Sequence, residues 1–180
     1  MYYFSFDVES VGLFGPPFAV GWVVVDELNA EYEAGLLVLP MPQVDQVAED
    51  WLRKNVLPHL PQPHFNNGYL EDFPVLARRF WQAWTDAKRT YPGITMVTDC
   101  PFPVEANFLM KIARELELPM EASPYPVLDV ASILFGRGFD PVGFYGRLSN
   151  ELPAHHPVND ARQSVRTMLA ALNAGTKVLT

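Results

Sequence analysis

Two carboxylates separated by one residue, near the beginning of the chain, constrain the fold more than any other feature of the sequence. Residues 2–8 are predicted to form a strand, and this strand ends in Asp7 and Glu9. Side chains on a strand repeat every two residues, so both carboxylates project from the same face. Two adjacent negative charges repel unless a cation lies between them. The pair therefore indicates a site for Mg²⁺ or Mn²⁺, which prefer oxygen ligands.

A second polar segment precedes the last predicted helix, residues 158–172. His155 is followed five residues later by Asp160, which would lie in the first turn of that helix, where the helix dipole favours a carboxylate. Asp160 alone is also explained as an ordinary helix-terminal acid. An imidazole can accept a proton near neutral pH, so His155 is a candidate general base, with His156 as the alternative. The two segments together predict hydrolysis assisted by two divalent ions.

Composition narrows the class of protein. The 180 residues fit one domain spanning 1–180, and the 49% hydrophobic and 19% charged residues are typical of a globular chain. A net charge of -8 argues against capture of nucleic acid by overall charge, although bound cations can reverse the sign locally. The single cysteine, Cys100, excludes an internal disulfide. With neither a signal peptide nor an apolar run of about 20 residues, a cytoplasmic protein without membrane contact is predicted.

The order of predicted elements defines the fold class. Strands are predicted at residues 2–8, 18–25, 34–39 and 94–98, with a fifth beginning near 125; helices are predicted at 44–57, 69–90, 104–116 and 158–172. Short turns predict that the first three strands form an antiparallel meander. This order is typical of an α/β fold in which helices cover both faces of a mixed five-stranded sheet.

The two end motifs together resemble the DEDDh family of 3′–5′ exonucleases, the DnaQ-like group that includes the proofreading subunit of DNA polymerase III, ribonuclease T and oligoribonuclease. In that family an Asp-x-Glu ends the first strand, and a His-x-x-x-x-Asp segment lies at the last helix. The matching residues are Asp7, Glu9, His155 and Asp160. Residues 51–58 (WLRKNVLP) also resemble a stretch of a small bacterial subfamily of 3′–5′ exoribonucleases. The resemblance covers nearly the whole chain and implies a ribonuclease H-like fold.

The middle motif departs from the family pattern. The family has an Asp shortly after the fourth strand, commonly within Asn-x-x-Phe-Asp, but no Asp follows Phe102 in this chain. Asp99 and Glu105 are the two candidates for the missing acid. Asp99 is preferred, because an acid at the end of a strand beside the central strand has a shorter distance to cover to the predicted metal site. Glu105 keeps the family's spacing to Leu109 but is longer by one methylene.

The resemblance implies a specific chemistry. Two Mg²⁺ or Mn²⁺ ions would be held by four carboxylates, those of Asp7, Glu9, Asp160 and Asp99, with Glu105 as the alternative to Asp99. His155 would accept the proton of the attacking water. The implied substrate is the 3′ end of single-stranded RNA or DNA, with RNA preferred because the similar subfamily acts on RNA. A homodimer fits the same resemblance, since dimers are common among relatives.

Two other functions stay open at this point. Because the Phe-Asp pair is missing, the chain could be a catalytically inactive relative that binds nucleic acid or a protein partner. A hydrolase of free nucleotides or very short oligomers could use the same site. If the protein binds nucleic acid, the candidates for binding backbone phosphates are Arg137, Arg147, Arg162 and Arg166.

Overall fold

A five-stranded sheet forms the centre of the protein. The computed structural model describes residues 1–40, 46–61, 70–122 and 124–174. The strands are β1 (Tyr2–Ser10), β2 (Pro17–Asp26), β3 (Glu31–Val38), β4 (Thr95–Thr98) and β5 (Val127–Asp129). The α-helices are α1 (Gln46–Asn55), α2 (Phe73–Thr90), α3 (Val104–Glu115), α4 (Val130–Gly136) and α5 (Pro157–Asn173), with 3₁₀ turns at Leu57–His59, Met120–Ala122 and Ser149–Glu151. Within these ranges, every helix is too short or too polar to cross a membrane.

The strand order β3-β2-β1-β4-β5 combines both kinds of pairing. β1, β2 and β3 are antiparallel neighbours, whereas β1, β4 and β5 run parallel. The predicted meander, the mixed five-stranded sheet and the α/β class are therefore confirmed. Because β1, β4 and β5 run in the same direction, their carboxyl ends meet at one edge of the sheet, and ligands of open α/β sheets bind at such an edge.

Side chains of β1 alternate between two hydrophobic cores. Phe4 and Phe6 pack against Phe80 of α2, with ring centroids 5.8 and 5.4 Å apart, in the core that α1, α2 and α3 cover. On the opposite face the Ser5 hydroxyl donates a hydrogen bond of 2.8 Å to the Ala161 carbonyl of α5. Positions two and four residues beyond Ser5 share that face. The carboxylates of β1 are thereby directed towards α5.

The beginning of α2 differs from the sequence prediction. The helix begins at Phe73, because the Asp72 carboxylate accepts the Val75 N–H at 3.0 Å and Pro74 occupies the first turn. An aspartate N-cap followed by proline is a common helix start, whereas the apolar spacing predicted a start at Tyr69. Tyr69 and the predicted start of the first helix at Val44 lie outside the described residues.

Gly21 of β2 allows α5 to approach the sheet beside the β1 carboxylates. It is the register partner of Asp7. A Cβ at position 21 would lie 2.3 Å from the backbone nitrogen of Val158 and 2.6 Å from the carbonyl carbon of Pro157. Backbone atoms cannot rotate out of the way as a flexible side chain can. The missing side chain at Gly21 therefore sets the distance between the start of α5 and the strand that carries Asp7.

We expect Gly21→Ala to destabilise the fold by about 1–3 kcal/mol, because the new methyl group forces the start of α5 away from β2. Gly136→Ala is the matched control, since a Cβ there meets nothing within 4 Å, and it should be neutral or slightly stabilising. Urea unfolding of both variants and the unmodified protein measures the difference. Equal unfolding free energies for Gly21→Ala and the unmodified protein would contradict the close packing.

Candidate metal-binding site

Carboxylates from four parts of the chain converge at the carboxyl edge of the sheet. Five acids were candidates in the sequence, two of them for the middle position, and the structure brings all five together. They are Asp7 and Glu9 on β1, Asp99 after β4, Glu105 in the first turn of α3 and Asp160 in the first turn of α5. The charges of the other four all act on Asp7, which therefore lies at the electrostatic centre of the group.

Glu9, His155 and Asp160 form the tightest part of the cluster. Each offers one possible ligand atom, and these atoms lie within 4.8 Å of one another. The backbone N–H of His155 donates a 3.0 Å hydrogen bond to Asp160 Oδ2. His155 has φ 60°, in the left-handed region that histidine enters more readily than most residues. This turn closes the five-residue spacing and carries the imidazole to the carboxylates.

Removal from water and mutual repulsion both favour protonation of these carboxyl groups. Burial, and then the charges of Asp160, Glu9, Glu105 and Asp99, raise the pKa of Asp7 well above its ordinary value. Burial and the charges of Asp160 and Glu105 raise the pKa of Glu9 to about 8. Burial raises the pKa of Glu105 to about 7. A cation among these oxygens would offset both effects, so the donor set fits a hard divalent ion.

Glu105 is more closely tied to β1 than Asp99 is. β4 pairs with β1 at Tyr3–Ser5, and further along β1 the backbone amide of Val8 acts on the Glu105 carboxylate and partly opposes the rise in its pKa. Val8 lies between the two carboxylates of β1. Glu105 is 7% exposed, whereas Asp99 is exposed at the end of β4. Glu105 is therefore the more buried of the two candidates, and its charge acts on both carboxylates of β1.

A cavity of about 440 Å³ opens on one side of the acids. Its walls include Asp7, Asp99, His155, Asp160 and Arg147. Arg147 Nη1 lies 2.5 Å from Asp160 Oδ1, an ion pair that the sequence analysis did not anticipate. Of the four arginines proposed to bind phosphates, Arg147 is the one that lines this cavity in the described part of the chain. The other three are engaged elsewhere: Arg137 with the Ala171 and Leu172 carbonyls, Arg162 with Glu31, and Arg166 with Glu151.

A second, mostly apolar cavity of about 410 Å³ lies on the other side of Glu9. Leu13, Trp51 and Val104 contribute to its walls. The half-exposed Trp51 ring also contacts the His155 imidazole, with centroids 5.2 Å apart and an interplanar angle of 74°. In the sequence, Trp51 stands out only through the resemblance of residues 51–58. A single tryptophan on a helix does not predict a contact with a histidine about 100 residues away. Aromatic walls of this kind can stack on nucleobases.

Comparisons with known proteins support the fold. No protein-family model matches the chain, and no curated protein matches its sequence. The chain is similar to the solved structure of exonuclease I, which was described for how processivity is achieved. The TM-score is 0.62 at 14% sequence identity, over 95% of this chain and 41% of that protein. The chain thus spans less than half of exonuclease I, and the similarity shows a ribonuclease H-like α/β fold.

The raised pKa of Glu9 predicts a pH-dependent stability in EDTA. From about pH 4.5, its ordinary value, to about pH 8, Glu9 retains its proton in the folded protein but loses it in the unfolded chain. The folded state therefore binds more protons, and the free energy of unfolding falls as pH rises through this window, by at most about 1.4 kcal/mol per pH unit for one group. Urea unfolding at several pH values measures the slope.

Two variants test the origin of this slope. Glu9→Gln should make it shallower, because the amide does not titrate, whereas Asp7 and Glu105 retain raised pKa values and part of the slope. Glu115→Gln, at an exposed position at the end of α3, removes the same charge and should keep the original slope. Identical profiles for all three proteins would contradict a raised pKa at Glu9. Saturating Mn²⁺ should stabilise the unmodified protein most at the alkaline end, where the carboxylates are ionised.

Proposed function

We propose that the protein is a divalent-cation-dependent exonuclease that removes nucleotides from the 3′ end of single-stranded nucleic acid, with RNA preferred. The convergence of Asp7, Glu9 and Asp160 with His155 at one edge of the sheet is the observation that carries the proposal. The similarity in fold to exonuclease I supports the nuclease class. The RNA preference follows from the resemblance of residues 51–58 to the exoribonuclease subfamily.

The cations would be held by Asp7, Glu9, Asp160 and a middle acid, and we assign the middle position to Glu105. Its burial and the action of its charge on both Asp7 and Glu9 support this choice over the exposed Asp99. A divalent cation at this site would make water a better nucleophile and stabilise the charge that develops on the phosphate. Four carboxylates around such ions leave the site neutral enough to accept a polyanion.

His155 would act as the proton acceptor. The hydrogen bond from its backbone to Asp160 fixes the turn, and the Trp51 ring limits the rotation of its imidazole. A general base must lie within reach of the proton that it accepts. The possible ligand atoms of His155, Glu9 and Asp160 lie within 4.8 Å of one another, so a water between them would be within reach of the imidazole.

The terminal base would enter the apolar cavity beside Glu9. Trp51 and Leu13 offer faces that accept any base, because stacking does not depend on hydrogen-bond pattern. A cavity of about 410 Å³ accommodates a single base. Recognition of one terminal nucleotide next to the carboxylates would favour cleavage from an end over cleavage within a strand.

Labelled single strands test the reaction and its direction. With Mn²⁺, 5′-labelled RNA should shorten progressively from its 3′ end, whereas 3′-labelled RNA should release a labelled mononucleotide in the first turnover. EDTA and Asp7→Asn should each abolish the reaction. Parallel DNA strands measure the sugar preference. If the protein binds RNA but cleaves it with neither Mg²⁺ nor Mn²⁺, the enzymatic function is refuted and a non-catalytic nucleic-acid-binding protein is favoured.

Replacing the proposed base should affect turnover strongly. We expect His155→Asn to lower kcat by about 10²–10⁴-fold, because the proposed proton acceptor is removed, while Mn²⁺-dependent RNA binding is largely retained. The same change at His59, on the 3₁₀ turn after α1, is the matched control and should leave kcat unchanged. Full activity of His155→Asn would contradict its role.

The middle acid can be identified by paired amide substitutions. We expect Glu105→Gln to weaken Mn²⁺ binding and lower kcat by at least about tenfold, because it removes a carboxylate that faces both β1 acids. Asp99→Asn, the matched control, should have a smaller effect on both quantities. Calorimetric Mn²⁺ titration and single-turnover cleavage measure them. The reverse order of effects would assign the middle position to Asp99.

A further inference from the structure

Both carboxylate oxygens of Asp160 are bound by donors from the chain itself. Arg147 Nη1 lies 2.5 Å from Oδ1, and the His155 N–H lies 3.0 Å from Oδ2. The side chains of Arg147 and Asp160 are 17% and 15% exposed. Their attraction is therefore less screened than that of a surface pair. A divalent cation that binds Asp160 Oδ1 would lie beside this guanidinium, and the two positive charges would repel each other.

The backbone around Arg147 is fixed, so an exchange of partners would need only side-chain rotation. Arg147 also donates to the Glu151 carbonyl at 3.0 Å. The Glu151 carboxylate, which is 1% exposed, accepts the Leu148 N–H at 2.8 Å. Arg166 donates to that carboxylate and to the Gly146 carbonyl. Residues on either side of Arg147 are thus anchored to α5, while its own long side chain can take several rotamers.

The position of Arg147 suits phosphate binding. Its guanidinium faces the cavity of about 440 Å³ that Asp7, His155 and Asp160 also line. A planar guanidinium can donate two parallel hydrogen bonds to a phosphate, as it can to a carboxylate. A guanidinium displaced from Asp160 would be repelled by the incoming cation and attracted by a phosphate in the same cavity.

We propose that Arg147 exchanges partners: it pairs with Asp160 while the site lacks a divalent cation, and it binds a phosphate of the substrate once Asp160 binds the cation. This inference rests on the proposed function and adds a phosphate-binding residue to the site. It also makes the guanidinium an internal counter-ion that holds Asp160 in place before metal binding.

The first test is calorimetric Mn²⁺ titration in the absence of any nucleotide. Arg147→Gln should bind Mn²⁺ about tenfold more tightly than the unmodified protein, because a charge-assisted hydrogen bond no longer competes for Asp160. Arg89→Gln removes the same charge from a residue of α2 that pairs with Asp86 and should leave the affinity unchanged. Unchanged or weaker binding by Arg147→Gln would overturn the exchange.

The second test measures phosphate recognition at saturating Mn²⁺. Arg147→Gln should bind AMP about tenfold more weakly than the unmodified protein, because one charge-assisted contact to phosphate is lost. Adenosine, which lacks the phosphate, should bind both proteins equally. Equal AMP affinity of the two proteins would overturn the proposal.

A measurement on the unmodified protein covers the case in which Arg147→Gln does not fold. The Arg147 side-chain NMR signals, assigned with Arg147→Lys, should shift on Mg²⁺ saturation; unchanged signals would overturn the exchange. The outcomes also separate the two proposals. If neither the unmodified protein nor Arg147→Gln binds Mn²⁺, the metal site itself is refuted and the exchange with it. If Mn²⁺ binds and RNA is cleaved but Arg147→Gln shows no tighter binding, the exchange alone is refuted.

Discussion

Repulsion among partly buried carboxylates is the interaction on which the whole site depends. Asp7 is subject to most of this repulsion, because the charges of four other acids act on it while it is removed from water. The rest of the fold supplies the stability that offsets this cost. On the opposite face of β1, Phe4 and Phe6 pack within an aromatic core, and this packing holds the strand in place. The absent side chain of Gly21 then brings the acid of α5 against it.

Such a cluster has three ways to lower its energy: protonation, a bound cation or an internal cation. Burial and repulsion favour protonation by raising the pKa of Glu9 and Glu105. The internal cation is Arg147, which pairs with Asp160. Under the proposed exchange, a divalent ion that binds the acids would release protons and displace the guanidinium together. Metal binding would then be coupled to pH and to phosphate.

Local geometric rules explain which features of the fold could be predicted from the sequence. The two-residue period of a strand places Asp7 and Glu9 on one face wherever the strand lies, and short turns make the first three strands antiparallel. The fold class could therefore be predicted, and it is confirmed. The ion pair of Arg147 could not be predicted, because residues 137–148 have no periodic pattern and their course depends on contacts with α5. The assignment of the catalytic and metal-binding roles stays a prediction.

A strand-end argument favours Asp99 as the middle acid, whereas the burial of Glu105 underlies our proposal of Glu105. That argument assumed that the nearest carboxylate to β1 would come from the neighbouring strand, but the pairing of β4 with β1 ends at Ser5. The helix α3 also packs against β1, and the backbone amide of Val8 acts on the Glu105 carboxylate, partly opposing the rise in its pKa. If Glu105 takes the middle position, as we propose, it differs from an aspartate there by one methylene and carries the same charge.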